Sequence, residues 1–288
     1  MAARPRTLPA AAAPVFVGTA YADTLGTFHP LTFVATLLGA LLIQIGTNLS
    51  NDYSDARRGA DTEDRLGPVR VTAGGLVPPK QVLIATYVAF GLAVLVGIYL
   101  IVIAGWQLLL VGIASILAGV LYTGGPRPYG YEGLGEVFVF LFFGIVAVTG
   151  TFFAQTKELS WEAFVLAVPV GLLATAILMV NNTRDLETDR RAGKKTLAVR
   201  LGRARARDGY AALVYFAFLT APLAWALGGT HLTPWLLLPW LALPMAAPIV
   251  RIVRNRVDGP SLNGALARTG MLQLVFCILL SAGLLLSR

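Results

Sequence analysis

The chain reads as an all-α polytopic membrane protein, a bundle of nine transmembrane helices with a site facing the cytoplasm. Three observations carry that expectation. Of 288 residues, 56% are hydrophobic and 13% charged, with a mean hydropathy of +0.71, whereas a soluble domain carries about 25% charged residues. Apolar runs recur along the whole length, near the length that crosses a hydrocarbon core of about 30 Å. Lys and Arg fall almost entirely into alternate loops.

The run at 8–22 follows Arg4-Pro-Arg6. Its Pro9 and Pro14 interrupt the smooth apolar core of a signal peptide and no clean cleavage site follows, so it is read as the first span. Further runs at 31–51, 82–103, 106–122, 134–154, 161–182, 207–227, 233–252 and 263–286 complete nine within one domain over 1–288. With nine crossings, 20 of 23 Lys and Arg fall on one side: Arg4, Arg6, Arg127, Arg251, Arg254, Arg256 and the basic residues of 57–80 and 184–207. The opposite side holds Lys157 and Arg288, and Arg268 lies just inside the last span. By the positive-inside rule, the first residues and both acid-rich loops are cytoplasmic at the cell membrane, and the last residues are not. The net charge of +8 is then a topology and anionic-lipid signal, not a nucleic-acid footprint. Cys277 stands alone, which excludes a disulfide framework or thiolate metal site. His29 and His231 fall on the side away from the acid-rich loops.

Two of those loops carry the chemistry. The segment from Asn48 to Gly75 holds five of the fifteen acidic residues. If the preceding helix continues, Gln44, Asn48, Asp52 and Asp55 form one polar stripe leading from membrane to water. The segment from Asn181 to Gly202 repeats the pattern, with Asn182, Asp185 and Asp189 on one helical face. Both contain Asn-x-x-x-Asp, as Asn48/Asp52 and Asn181/Asp185, and both are trailed by Arg and Lys. Carboxylate and amide oxygens suit magnesium, which also takes water and phosphate oxygens. The candidate metal residues are Asn48, Asp52, Asp55, Asp61, Asn181, Asn182, Asp185 and Asp189, read as two clusters facing across a cleft with two ions. Arg65, Arg70, Lys194 and Lys195 are candidates for a diphosphate, because cations placed beside metal-binding carboxylates match a multiply charged head group. Between the two lies Tyr122 to Glu136, too rich in Gly and Pro for a helix. Its Arg127, Tyr129, Tyr131 and Glu132 are candidate contacts for an aromatic acceptor beneath a covering loop. Ionisable residues cluster at helix ends and not at the membrane midplane, which argues against a transporter.

NDYSDARRGADTEDRLGPVRVTAGGL, YTGGPRPYGYEGLGEVFVFLFFG and NNTRDLETDRRAGKKTLAVRLG together resemble the UbiA superfamily of intramembrane prenyltransferases, over nearly the whole chain. Within it the chain is similar to the branch acting on 1,4-dihydroxy-2-naphthoate. The broad family pattern has its third Asp four residues after the second, whereas Asp61 comes six after Asp55. The resemblance implies magnesium-dependent transfer of a polyprenyl group from polyprenyl diphosphate to that naphthoate, with loss of carbon dioxide, in menaquinone biosynthesis. Other branches use 4-hydroxybenzoate or homogentisate, and these stay open as acceptors. It also implies catalytic roles for Asp52, Asp55, Asp185, Asp189 and Lys194.

Overall fold

The computed structural model describes residues 2–60, 66–227 and 232–288, and these are helical with connecting turns, with no strand among them. In order they form α1 (Leu8–Thr24), α2 (Pro30–Arg57), α3 (Pro79–Ala104), α4 (Gln107–Leu121), α5 (Gly135–Phe140), α6 (Ala147–Thr156), α7 (Trp161–Arg184), α8 (Leu186–Arg191), α9 (Leu197–Leu201), α10 (Arg203–Leu227), α11 (Leu243–Asn255) and α12 (Gly259–Leu285). Each apolar run lies in a helical segment, and most of the helices extend past the apolar residues into the polar loops. α2 continues unbroken through Asn48, Asp52 and Asp55. Several helices begin with Pro in the first turn, where the missing N–H has no partner to lose. Ser160 caps α7, its Oγ accepting from Glu162 N at 3.1 Å and Ala163 N at 3.3 Å, an arrangement typically stabilising by about 1 kcal/mol.

Six helical rods among the described residues are long and apolar enough to cross a membrane: α2, α3, the 135–156 rod, α7, the 234–255 rod and α12. α1, α4 and α10 are helices of 17, 15 and 25 residues outside that set.

The bundle has a dense half and an open half. α7 is buried along most of its length and packs on α10, α12, α1, α5 and α6. One hydrophobic core joins side chains of α1, α6, α7, α10, α11 and α12, including Leu166, Leu173, Tyr210, Leu272 and Phe276. On the other side α2 packs on α3, and α4 leans on both. Their shared core is small, built around Leu49, Val82 and Ala89. Ile84, Leu95, Val102 and Leu110 point outward from this side, as lipid-facing residues do.

Where the halves meet, the helical rod 135–156 carries a π turn at Leu141–Val146. Such single-turn insertions are frequent at functional sites. It permits a backbone-to-backbone crossing: a Cβ on Gly144 would lie 2.5 Å from Gly171 Cα, and one on Gly171 would lie 2.9 Å from Phe140 O. Small residues at such crossings let membrane helices approach without a hydrophobic drive. At the end remote from the acid-rich segments, His29 N donates to Gln155 Oε1 at 2.8 Å and Arg288 pairs with Asp23 at 3.3 Å.

Candidate active site

The ends of α2 and α7 face each other across a cavity of about 460 Å³. Its mouth is lined by Asn48, Asn51, Asp55, Arg70, Tyr131, Asn181, Asn182, Asp185, Asp189 and Lys194. From there an apolar arm runs between α2, α3, α4 and the π turn, past Ile43, Val94, Ile98, Ile101, Leu109, Ile113, Phe142 and Phe143. A charged mouth opening into an apolar arm suits a ligand with an anionic head and a hydrocarbon tail.

Asp55 is the hub of the α2 side. It is 2% exposed; its Oδ1 accepts from Tyr131 Oη at 2.6 Å and Lys194 Nζ at 3.3 Å, and its Oδ2 from Arg70 Nη2 at 3.3 Å. Two cations from separate segments thus meet on one carboxylate at the cavity wall. Asp52 behaves differently. Its Oδ1 accepts from Thr72 N at 2.9 Å and its Oδ2 from Val71 N at 3.2 Å, so it anchors the first loop and does not line the cavity. Asn48 lines the cavity while its Nδ2 donates to Ala3 O at 3.0 Å and Thr7 Oγ1 at 3.2 Å. The segment before α1 thus lies against the mouth, and Arg4 is part of the wall.

α7 ends at Arg184, and Asp185 leaves the helix at φ −88° and ψ 6°. The ladder is nonetheless carried across, by Asp185 N to Asn181 O at 3.1 Å and Asp189 N to Asp185 O at 2.8 Å. Asn182, Asp185 and Asp189 therefore stay on the cavity side. Arg184, 3% exposed, forks onto Asp185, with Nε to Oδ1 at 2.8 Å and Nη2 to Oδ2 at 2.5 Å. The same Nη2 donates to Asn181 Oδ1 at 2.9 Å. Asn182 Nδ2 donates to the buried Glu136 Oε1 at 2.9 Å, and Glu136 Oε2 is buried without a hydrogen-bond partner.

The middle loop covers the mouth. Residues Tyr129–Glu132 form a 3-10 turn, a local helical turn in a segment read from sequence as irregular. Tyr129 stacks on Phe138 with ring centres 4.0 Å apart, and its Oη donates to Ala118 O at 2.8 Å; burial pushes its phenol above the ordinary tyrosine range. Tyr131 lies beneath Lys194 Nζ, 4.7 Å from its ring centre, and the Arg58 guanidinium at 5.8 Å. Arg58 also donates to Thr123 O at 3.1 Å and to Gly125 O.

Three predicted contacts fall outside the cavity wall. Glu132 pairs with Arg127 at 3.4 Å and Arg200 at 3.5 Å on the outer edge of the loop, and the Arg127 side chain is 82% exposed. The Lys195 side chain is exposed too, its backbone N donating to Tyr131 O at 2.8 Å. Spacing in a loop does not say which edge faces inward. Asp61, Arg65 and His231 lie outside the described residues. Asn51, Glu136 and Arg184 escaped the sequence reading. Glu136 was open to detection, as an acid opening an apolar run is costly in a membrane unless it has a use. Asn51, which accepts from Thr123 Oγ1 at 2.8 Å, sits one turn on from Asn48.

The donor set can be tested against a metal. Among the described residues no three His, Cys, Asp or Glu side chains converge as a preformed cage, which disfavours a closed structural zinc site. The mouth instead offers carboxylate and amide oxygens spaced around a cavity. That fits a magnesium ion, which keeps waters and shares phosphate oxygens.

Comparison with known proteins agrees with this geometry. Residues 11–286 match the UbiA prenyltransferase family. The 1,4-dihydroxy-2-naphthoate octaprenyltransferase of Mycobacterium leprae is 41% identical over 286 residues, covering 99% of this chain and 95% of its own. The protein of the same name from Escherichia coli is 38% identical over 295 residues, covering 99% and 94%. Among solved structures, a UbiA homolog from Aeropyrum pernix K1 superposes with a TM-score of 0.69 at 15% identity over 98% of each chain. One from Archaeoglobus fulgidus bound to GPP and Mg2+ gives 0.65 at 14% identity, covering 97% of this chain and 98% of its own. On the evidence of this full-length match and the shared helical fold, the chain belongs to the UbiA prenyltransferase family.

Proposed function

We propose that this protein transfers a polyprenyl group from polyprenyl diphosphate to 1,4-dihydroxy-2-naphthoate, with loss of carbon dioxide, giving demethylmenaquinol in menaquinone biosynthesis. The observation that carries the reading is the cavity whose charged mouth, built from two acid-rich helix ends, opens into an apolar arm. Relatives that carry the naphthoate name over their full length support the choice of acceptor.

In this reading Asp55, Asp185 and Asp189, with Asn48, Asn181 and Asn182, hold divalent metal. Magnesium, as two ions, supplies the positive charge that lets carboxylates and diphosphate share one site and stabilises the leaving group. Lys194 and Arg70 sit on Asp55 at the cavity wall and receive the diphosphate oxygens as the allylic C–O bond breaks, the bonding pair departing with diphosphate. The ring carbon bearing the carboxylate forms the new C–C bond, and that carboxylate leaves as carbon dioxide. Tyr129 and Tyr131 keep water from the cation by closing the loop over the mouth. Asp52 acts from behind, by fixing the loop that presents Arg70.

The same reading gives nine crossings, with α1, α4 and α10 joining the six apolar rods, and sets the mouth on the cytoplasmic side of the cell membrane, where basic residues crowd. Cysteine probes at positions 58 and 191 are expected to react only from the cytoplasm. Labelling from opposite faces would break the two-cluster site. For the chemistry, the purified protein is given magnesium, farnesyl diphosphate and carboxyl-labelled naphthoate. The prenylated product should lack the label. Retained label, or a preference for 4-hydroxybenzoate, overturns the acceptor and leaves prenyl transfer standing.

A further inference from the structure

One residue of α12 touches both acid-rich segments from behind the cavity. Asn263 Oδ1 accepts from Arg184 Nη1 at 2.7 Å, and its Nδ2 donates to Leu66 O at 3.0 Å. Its two hydrogen-bonding ends are therefore committed to different partners, the end of α7 and the first loop. The loop is pressed onto the start of α12 at this point, for a Cβ on Gly259 would lie 2.9 Å from Leu66 O. From Leu66 the chain runs to Arg70, which pairs with Asp55, and to the Val71 and Thr72 amides held by Asp52. On the other side Arg184 forks onto Asp185. A strap thus runs Asp185, Arg184, Asn263, Leu66, Arg70, Asp55, joining the two carboxylates through a middle stretch, Arg184 to Leu66, that does not line the cavity.

We propose that Asn263 is a positioning residue that couples the two acid-rich ends, so that the setting of the Asp185 carboxylate and the closure of the loop carrying Arg70 change together. The proposal rests on the metal-diphosphate reading above. The Arg184 side chain is 2% exposed, so loss of the Nη1 bond leaves a donor to be satisfied elsewhere, and without Asn263 the guanidinium turns toward another acceptor and its fork on Asp185 loosens. Partners that orient a ligating side chain typically govern metal affinity by about 10-fold or more. Asn263→Asp separates the two contacts: a carboxylate still accepts from Arg184 but cannot donate to Leu66 O.

The test uses the full chain in lipid nanodiscs with magnesium and farnesyl thiodiphosphate, an unreactive analogue. Binding is measured by calorimetry, and tryptic cleavage after Arg70 by mass spectrometry. In the unaltered protein the analogue with magnesium should slow that cleavage. Asn263→Ala should weaken binding about 10-fold or more and lose the protection, whereas Asn263→Asp should keep the affinity and lose the protection. A purely structural amide would lower the melting temperature and leave both readouts alone. If Asn263→Ala fails to fold, Asn263→Asp decides, and full protection in it overturns the coupling. An unaltered protein that does not bind the analogue with magnesium overturns the functional reading instead.

Discussion

The two acid-rich helix ends look like copies in sequence and are built differently. At the end of α2 the helix runs straight on, and Asp55 reaches across the cleft to cations from distant segments, Arg70 and Lys194. At the end of α7 the helix breaks, and Asp185 is held by Arg184, its immediate neighbour. Compensation from across the cleft ties a carboxylate to loop closure. Compensation from the next residue keeps the counter-charge on the same helix end, so any tie to the loop has to pass through Arg184 and Asn263. The repeated Asn-x-x-x-Asp spacing thus yields one flank compensated by cations from other segments and one compensated by its own neighbour.

The largest expected effect tests whether both flanks serve one leaving group. Asp55→Asn and Asp185→Asn should each lower kcat on the order of 100-fold or more at saturating magnesium. Stability should separate them. Asp185→Asn leaves the Arg184 guanidinium, 2% exposed, without its carboxylate, and breaking such a buried pair costs about 3–5 kcal/mol. Asp55→Asn leaves Lys194 and Arg70 on the cavity wall, each 10% exposed and able to turn toward solvent, so its melting temperature should fall far less. Equal melting of the two variants would erase the distinction between the flanks.

A smaller effect sharpens the picture within α2. Asp52 accepts one backbone amide on each carboxylate oxygen, and Asn puts an NH2 donor in place of one of them, so Asp52→Asn should cost about 1–3 kcal/mol. Thermal melting should register that loss while the magnesium half-saturation concentration stays put. A shifted half-saturation at unchanged melting would return Asp52 to the metal and make the flanks alike again.

The smallest effect concerns the cover. Tyr129→Phe removes one hydrogen bond to Ala118 O and should cost about 1 kcal/mol. Because burial raises the Tyr129 phenol above its ordinary value, its contribution is fully present below about pH 10 and is lost only as pH rises beyond it. The stability difference between the two proteins should be flat from about pH 6 to 9; a slope there would mean that Tyr129 titrates within reach of catalysis.

Much of this architecture was legible in the sequence because apolar run length and helical period are local properties. The polar stripe on α2 was legible for the same reason, with one exception. At 100° per residue Asp52 lies about 80° round the helix from Gln44 and about 60° from Asp55, at the trailing edge of the stripe, and there it meets the loop. The pairings were not legible, because they join residues far apart in the chain: Asp55 with Lys194, Asn182 with Glu136, Arg184 with Asn263. Arg184 reads as one more basic residue at a helix end, and only its burial reveals that it organises the second cluster. The outward edge of the middle loop was hidden likewise, since Arg127 and Glu132 satisfy each other without entering the cavity.

The mouth takes part of its wall from Arg4 and Thr7, which precede α1, and from Leu266 of α12, and α1 packs directly on α12. α1 is made before the acid-rich segments and α12 after both, so a chain inserted into the membrane as it is synthesised completes this wall only once α12 has emerged. Between the synthesis of Asp189 and that of α12 both acid-rich segments are therefore present without their enclosure. A ribosome that stalls before α12 leaves a membrane-bound fragment with both Asp clusters but no closed mouth. Closure of the mouth then waits on α12, however much of the bundle precedes it.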